Sequence, residues 1–555
     1  MKLRDYQQYA VDKVLGAFAK PGASVLGVAA TGLGKTVIFC HVAKERAARG
    51  RVLIIAHRQE LIAQAAAKVR AITGIMPAIE MGDLRSDETS LYRAAPIVVA
   101  SKDSLIHRMD RIKWEHFDTL ITDEAHHAIA DRYRRIYARI REINPSIRHF
   151  GVTATPDRAD EIGLKAVYDS VAFEFDIKWG IEHGWLCNVF ASAVEVTDLD
   201  FSGVRKARTG DLSADDLDHL MRREGIVHKM AVPIHDMAKW RSVLIFCTSI
   251  AHAELMTEVL QRVRNERTGH TTRCAAIVTG KTPDEERKQV LKDFAEKRIQ
   301  FLCNVGVLTE GYDDPGIDVV AMCRPTLSRS LYTQMVGRGT RPLPGLVDTI
   351  ESPSARRDAI KTSRKKHIEV IDFVGNSGQH KLINVADALA GDEPEPIINR
   401  AAEIMRERGT MPAAEAIEEA RREAEERRQK EHQARHKFQN VVGKVQYTVG
   451  TVDPFDILNV EPLRTRGWDV NDAPTEAQKR ALEKHRIKAG PDMTRRQASQ
   501  LLDAIIDRRN RGLCSYRQAK LLQSHGYDTT NMTFDEASRL IQPLMQKFRR
   551  KAGAT

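Results

Sequence analysis

Short apolar runs rich in valine and isoleucine recur along the first two thirds of the chain, each closed by a polar cluster and followed by a stretch of helical length. The first set is "SVLGVAA" (24–30), "RVLIIAH" (51–57), "PIVVAS" (96–101), "FDTLITD" (117–123) and "RHFGVTAT" (148–155). The pattern then restarts with "SVLIFCT" (242–248), "CAAIVTG" (274–280), "QFLCN" (300–304), "DVVAMC" (318–323) and "HIEVIDFV" (367–374). Runs that are continuously apolar rather than alternating predict parallel strands buried on both faces. Two tandem α/β domains with parallel sheets follow from this. The polar clusters come directly after the strands, so they lie at the carboxyl edges of the sheets, where open α/β sheets bind ligands.

Beyond these domains the pattern changes. Residues 412–438 read as one charged helix with glutamate and arginine four apart, a solvated connector. Pro454 and Pro462 then mark an irregular segment. After it comes a repeat. "TEAQKRALEKH" (475–485) matches "SYRQAKLLQSH" (515–525), and "MTRRQASQLL" (493–502) matches "MTFDEASRLI" (532–541). Each half carries two capping-box starts, Thr475/Gln478 and Thr494/Gln497, then Ser515/Gln518 and Thr533/Glu536. This predicts a small all-α module of two helical hairpins, with Leu482, Ala498, Leu501, Leu502, Leu522, Ala537, Leu540 and Ile541 in its core. The expected domains are 1–178, a connector at 179–235, 236–395, a charged helix at 396–440, an irregular segment at 441–474 and the repeat module at 475–548.

Composition narrows the class. At 555 residues, with 42% hydrophobic and 29% charged, the chain is of the globular type and too long for one core. It has no run of apolar residues long enough to span a membrane and no signal-type start, so a cytoplasmic protein of a bacterium or a phage-infected cell is expected, with no membrane partner. The seven cysteines form no C-x-x-C pair, which argues against both a disulfide framework and zinc. The formal charge is +11, and residues 441–555 carry 20 Lys and Arg against 13 Asp and Glu, much of that excess. Nucleic acid is a fitting partner.

The candidate chemistry starts at "AATGLGKT" (29–36), a phosphate-binding loop whose opening glycine is replaced by Ala29. It stands between a predicted strand and a predicted helix, the context such a loop requires. Gly32 and Gly34 free the backbone to turn its N–H groups toward phosphate, Lys35 reaches the β- and γ-phosphates, and Thr36 ligates Mg²⁺. Ala29 fits if its φ is negative. "ITDEAHHA" (121–128) places Asp123 and Glu124 at a strand end, suited to Mg²⁺ positioning and to orienting an attacking water. His126 and His127 are adjacent and lack a third ligand, so they are not read as a metal pair. In "YTQMVGRGTRP" (332–342), Arg338 and Arg341 are three apart, would share a helix face, and suit the spread charge of a phosphoryl group in transfer.

In order, the chain carries "LRDYQ" (3–7), "AATGLGKT", "AHRQELIAQ" (56–64), "ITDEAH" (121–126), "VTATP" (152–156), "LIFCTS" (244–249), "VGVLTEGYDDP" (305–315) and "QMVGRGTRP" (334–342). This series resembles the superfamily 2 helicases of the DEAD/DEAH-box type, and its last two blocks are similar to those of the RadD-type bacterial DNA-repair helicases and related phage helicases. The resemblance covers residues 1 to about 395. It implies two RecA-like P-loop NTPase domains that use ATP and Mg²⁺, and it makes alanine an ordinary residue at position 29. It further implies that Arg4 and Gln7 recognise adenine and that Ala29, Ala30, Thr31, Gly32, Leu33, Gly34, Lys35 and Thr36 cradle the phosphates. Asp313 and Gln334 would contact the nucleotide from the second domain, and Thr153, Ala154 and Thr155 would couple hydrolysis to domain movement. His57, Arg58 and Ser101 match positions that grip a nucleic-acid backbone. One departure stands out: RadD-type enzymes are expected to carry a cysteine-rich zinc element beyond the motor, whereas here only Cys514 follows Cys323, so no zinc is expected. The basic repeat module, with Arg495 and Arg496 at a helix start, is read as a DNA grip, as a docking unit for replication or recombination proteins, or as an inert cap.

The leading reading is an ATP-dependent DNA helicase or duplex translocase of replication, recombination or repair. An RNA helicase is the second reading, weakened by the "TATP" wording and by Gln334. A nucleic-acid-binding scaffold with a weak ATPase is the third, and the presence of Lys35, Glu124 and Arg341 weighs against it.

Overall fold

The computed structural model describes residues 3–56, 59–82, 95–154, 163–207, 210–268, 272–309, 311–376, 380–391, 393–441, 453–463, 472–490, 492–525 and 527–552. The candidate residues His57, Arg58 and Thr155 lie outside them.

The first sheet contains β1 (Ser24–Ala29), β2 (Arg51–Ala56), β3 (Ala78–Glu80), β4 (Ile97–Ser101), β5 (Phe117–Asp123), β6 (Arg148–Thr153) and β7 (Ser170–Phe175). They lie in the order β3-β4-β2-β5-β6-β1-β7, and every neighbouring pair is parallel. All six residues of β1 are buried, which is what the unbroken apolar run requires of a central strand. β3 and β7 had no counterpart in the pattern reading. β3 has three residues, and β7 is an edge strand in which only Phe173 and Phe175 are buried.

The second sheet contains β8 (Asn188–Asp200), β9 (Val243–Cys247), β10 (Ala275–Val278), β11 (Phe301–Asn304), β12 (Val319–Cys323), β13 (His367–Asn376) and β14 (Met411–Pro412). Its order is β10-β11-β9-β12-β13-β8-β14, parallel except for the antiparallel β14. The two orders correspond position by position, so β8 takes the place in the second sheet that β1 takes in the first. Residues 179–235, read from sequence as a connector, therefore supply a strand and core. Phe201, Leu217, Met221, Val227, Met230 and Ile234 are buried in one cluster with Val243, Ile245 and Val319 of the sheet. In β8, "NVFASAVEVTDLD" mixes polar with apolar residues, which hides the strand from a search for continuous apolar runs.

A second unit comprises residues 392–401 and 417–555. Its helical part has a core of its own, in which Leu482, Ala498, Leu501, Leu522 and Ala537 are buried and Leu502, Leu540 and Ile541 pack against them. Phe455, Ile457 and Leu458 join that core from the short helix Pro454–Leu458, inside the stretch expected to be irregular. The two halves of the repeat make the same hydrogen bonds. Gln478 Nε2 donates to Ser499 Oγ at 2.8 Å and to Arg495 O at 3.2 Å, and Gln518 Nε2 donates to Ser538 Oγ at 2.9 Å and to Phe534 O at 3.4 Å. Arg508 is buried, donating to the carbonyls of Cys514 (3.2 Å) and Thr529 (2.8 Å). Arg495 is half exposed and pairs with Asp472 at 2.9 Å.

Candidate active site

The glycine loop leaves the carboxyl end of β1 and enters the helix Lys35–Ala47. Ala29 is the last residue of β1, fully buried, and is not among the residues with positive φ, so no glycine is needed there. The bend comes later, at Gly32 (φ +94°) and Gly34 (φ +79°), both in the left-handed region that a side chain disfavours. A Cβ on Gly34 would lie 2.5 Å from Gln7 Nε2, and one on Gly32 would lie 3.2 Å from Arg341 Cγ. The loop is thus closed in from one side by the N-terminal helix Asp5–Ala17 and from the other by the second α/β domain.

Four further elements reach the same cleft of about 420 Å³. Asp123 ends β5 and Glu124 follows it, Lys68 comes from the helix Gln59–Thr73, Gly311, Tyr312 and Asp313 from the loop after β11, and Arg338 and Arg341 from the segment after the helix Arg329–Gly337. Lys35 Nζ lies 3.3 Å from Glu124 Oε1, both largely buried. Glu124 adopts φ 46°, unusual for a residue with a side chain, and the Asp123 carboxylate accepts its backbone N–H at 2.9 Å. His126 Nδ1 lies 3.1 Å from Thr153 Oγ1 and 3.5 Å from Glu124 Oε2, joining the acidic strand end to the end of β6. Thr153 and Ala154 are buried behind the cleft and do not line it.

The N-terminal residues are fixed by hydrogen bonds. Gln7 Oε1 accepts the Arg4 N–H at 3.1 Å, and Gln7 Nε2 donates to the Leu33 carbonyl at 3.3 Å. Tyr6, which the motif reading passed over, donates its hydroxyl to the same carbonyl at 2.8 Å and packs its ring against Phe175, Trp179 and Trp185. Arg4 Nη2 meets Asp348 at 2.6 Å while its guanidinium stacks over Trp185 at 4.6 Å. Tyr6 was visible in "LRDYQ" as an aromatic between two polar site residues. Asp348, far along the chain in a loop, carried no signal.

Arg338 and Arg341 do not share a helix face, because the helix ends at Gly337 and Arg338 caps it. Their situations differ. Arg338 donates to the carbonyls of Thr309 (2.6 Å) and Tyr312, which ties down the loop bearing Asp313. Arg341 pairs with the Asp313 carboxylate at the mouth of the cleft and is about 30% exposed. Gln334 is buried in its helix and does not line the cleft. Ser101 is also buried, and its hydroxyl caps the helix Lys102–His107 by accepting Ser104 N–H at 3.0 Å.

A turn of backbone N–H groups at a helix N-terminus beside a lysine suits a polyphosphate. Hard oxygen donors on Thr36 and Asp123 suit a divalent cation between them. Among the described residues there is no group of three or more metal-ligating side chains and no helix long and apolar enough to cross a membrane.

Residues 1–158 match the family model of the type III restriction enzyme res subunit, and residues 226–342 match that of the helicase conserved C-terminal domain. A putative ATP-dependent helicase, IRC3, of Saccharomyces cerevisiae is 32% identical over 390 residues, covering 68% of this chain and 52% of that one. A 51.5 kDa protein of a Lactococcus phage is 27% identical over 311 residues, covering 56% of this chain and 61% of that one. The chain therefore spans about half to three fifths of the length of these relatives. The fold is shared with a fragment of a putative HsdR subunit of a type I restriction enzyme from Vibrio vulnificus, at 21% identity and a TM-score of 0.51 over 71% of this chain and 66% of that one.

Proposed function

We propose that the chain belongs to the superfamily 2 helicase group and is an ATP-dependent DNA helicase or duplex DNA translocase acting in replication, recombination or repair in the cytoplasm of a bacterium or phage-infected cell. The observation that carries this reading is the meeting of two ion pairs from different domains in one cleft: Lys35 with Glu124, and Arg341 with Asp313. Each of these cations is held by a carboxylate that a polyphosphate can replace.

In this reading Arg4 and Gln7 take the adenine, the loop from Ala30 to Thr36 takes the phosphates, and Thr36 and Asp123 hold Mg²⁺, which when bound neutralises charge on the β- and γ-phosphates. Lys35 turns from Glu124 to phosphate, which frees the Glu124 carboxylate to orient the attacking water. Arg341 leaves Asp313 and stabilises the charge of the transferring group, while Arg338 acts one step back by holding the Thr309–Tyr312 loop in place. Closure of the domains then depends on the nucleotide state, and the contact from His126 to Thr153 offers a route by which hydrolysis reaches β6. His57 and Arg58 are assigned to the nucleic-acid track of the first domain, whereas the buried, helix-capping Ser101 would support that track from behind. Arg495 and Arg496 are assigned to an additional grip by the repeat module. Phosphate contacts of this kind carry no sequence preference.

ATP hydrolysis by the full-length protein, measured with single-stranded, duplex and forked DNA and with RNA, tests the assignment. DNA is expected to stimulate turnover and RNA to do so weakly. Stimulation by RNA alone would move the protein to the RNA helicases.

A further inference from the structure

The amino edge of the second sheet, opposite the cleft, carries a feature the motor mechanism does not use. Trp240 is 76% exposed, more than any other large hydrophobic side chain among the described residues. It sits in the turn between the helix Glu224–Ala238 and β9, and that turn is well fixed. Lys239 holds φ at +55°, its carbonyl accepts from Gln300 Nε2 at 2.6 Å, and Arg241 Nη2 donates to the Met237 carbonyl at 2.7 Å. A displayed indole on a rigid turn costs little conformational entropy when it stacks on a ligand.

Beside Trp240 lies a pocket of about 370 Å³ whose floor is the start of β9, β12 and β13. Its charged lining is five cations against the single carboxylate of Asp318. Three of the cations are structural: Arg241 is bound to Glu369, Lys297 to Ser242 Oγ at 2.6 Å, and the buried Lys365 to the Pro315 carbonyl at 2.8 Å. Asp318 is already engaged, accepting from Ser242 N at 3.2 Å and lying 3.6 Å from Lys297. Arg364 and Lys366 flank Lys365, point out to solvent, and among the described residues make no ion pair. An exposed aromatic face next to two uncommitted cations is the combination that binds an unpaired nucleotide, by base stacking and phosphate contact.

We propose that this edge is a second contact for single-stranded nucleic acid, with Trp240 stacking on a base and Arg364 and Lys366 holding the flanking phosphates. A duplex is excluded as the ligand because its bases are already stacked. The inference rests on the nucleic-acid reading above and extends it to a surface away from the track of the first domain. A protein partner with an acidic segment is the competing occupant.

The test is anisotropy of a fluorescein-labelled oligo-dT of about 30 nucleotides, and of a duplex of equal length, with the full-length protein and the variants Trp240→Ala and Arg364→Glu/Lys366→Glu. Trp240→Ala should weaken single-strand binding about tenfold, the loss of one stacked base, and leave duplex binding unchanged. The double charge reversal should flatten the salt dependence by about 1.4 log units per log unit of salt, from about 0.7 for each phosphate contact on a single strand. ATP hydrolysis without nucleic acid should stay at the wild-type rate in both variants, which certifies their folding. Wild-type protein that binds neither ligand would overturn the nucleic-acid reading itself. Wild-type protein that binds the oligo-dT only as tightly as both variants do would overturn this contact alone. An equal loss on single strand and duplex in Trp240→Ala would also contradict stacking.

Discussion

At the residue scale the proposed chemistry depends on which side chain each cation of the cleft faces. Lys35 is held 3.3 Å from Glu124, so Lys35→Ala removes the proposed partner of the phosphates and also takes the ammonium away from a buried carboxylate, whereas Glu124→Gln removes only the group proposed to act on water. Lys35→Ala is expected to lose ATP binding, read by a fluorescent ATP analogue. Glu124→Gln should bind the analogue as wild type does and hydrolyse ATP about 10²- to 10⁴-fold more slowly. Arg338 and Arg341 should separate as well. Arg338 is locked onto two carbonyl oxygens and its removal loosens the Asp313 loop, so Arg338→Ala should also lower the thermal unfolding temperature of the nucleotide-free protein. Arg341→Ala should leave that temperature where it is, since an exposed ion pair contributes little. From sequence these two arginines looked alike, because a spacing of three implies a shared face only if the helix continues, and here it stops at Gly337. The bend of the glycine loop, in contrast, was legible to the residue, because Gly32 and Gly34 both hold the positive φ that glycine positions encode directly.

At the scale of elements, the helix Arg329–Gly337 is anchored by Tyr332, whose hydroxyl is shared between both oxygens of the half-buried Asp372 on β13, each at 2.6 Å. Burial raises the Asp372 carboxyl from an ordinary 3.8 to about 7, against the pull of the Tyr332 hydrogen bond. A carboxyl that prefers its proton in the folded state stabilises the fold at low pH, and this contribution declines as pH rises from about 4 to about 7. His252 works in the opposite sense. Burial lowers it to about 4, so its contribution is present above 6.5 and is lost as pH falls toward 4. The two trends overlap in wild type and are separated by Asp372→Asn, which keeps an acceptor for Tyr332. The urea midpoint of the variant relative to wild type should climb as pH goes from about 4 to about 7. A constant difference across that range would show that Asp372 ionises normally.

The same scale shows why some elements could be read and others not. Every continuous apolar run became a parallel strand, since a strand covered on both faces has no polar positions to confuse the pattern. β7 and β8 alternate or mix their polarity, and β14 is two residues long. The equivalence of β8 with β1 is a property of the sheet order and has no local signature.

At the scale of the whole molecule, the helical module has a self-contained core drawn from residues 455–537, so a chain ending near Asn440 keeps both sheets and the cleft intact. That truncation should hydrolyse ATP and bind DNA more weakly. If the module grips about four phosphates, its removal should flatten the salt dependence on duplex DNA by about 3.6 log units per log unit of salt. An unchanged slope would make the repeats a docking unit. In the proposed function the two domains form one ATP site whose turnover answers to nucleic acid, with Arg341 as the residue through which the second domain enters the chemistry of the first. The most direct measurement is therefore the steady-state ATP hydrolysis rate of Arg341→Ala beside wild type, each with and without saturating DNA. The account predicts that the variant still binds DNA and loses the stimulated rate by about 10³-fold or more. Equal stimulation of variant and wild type would contradict it.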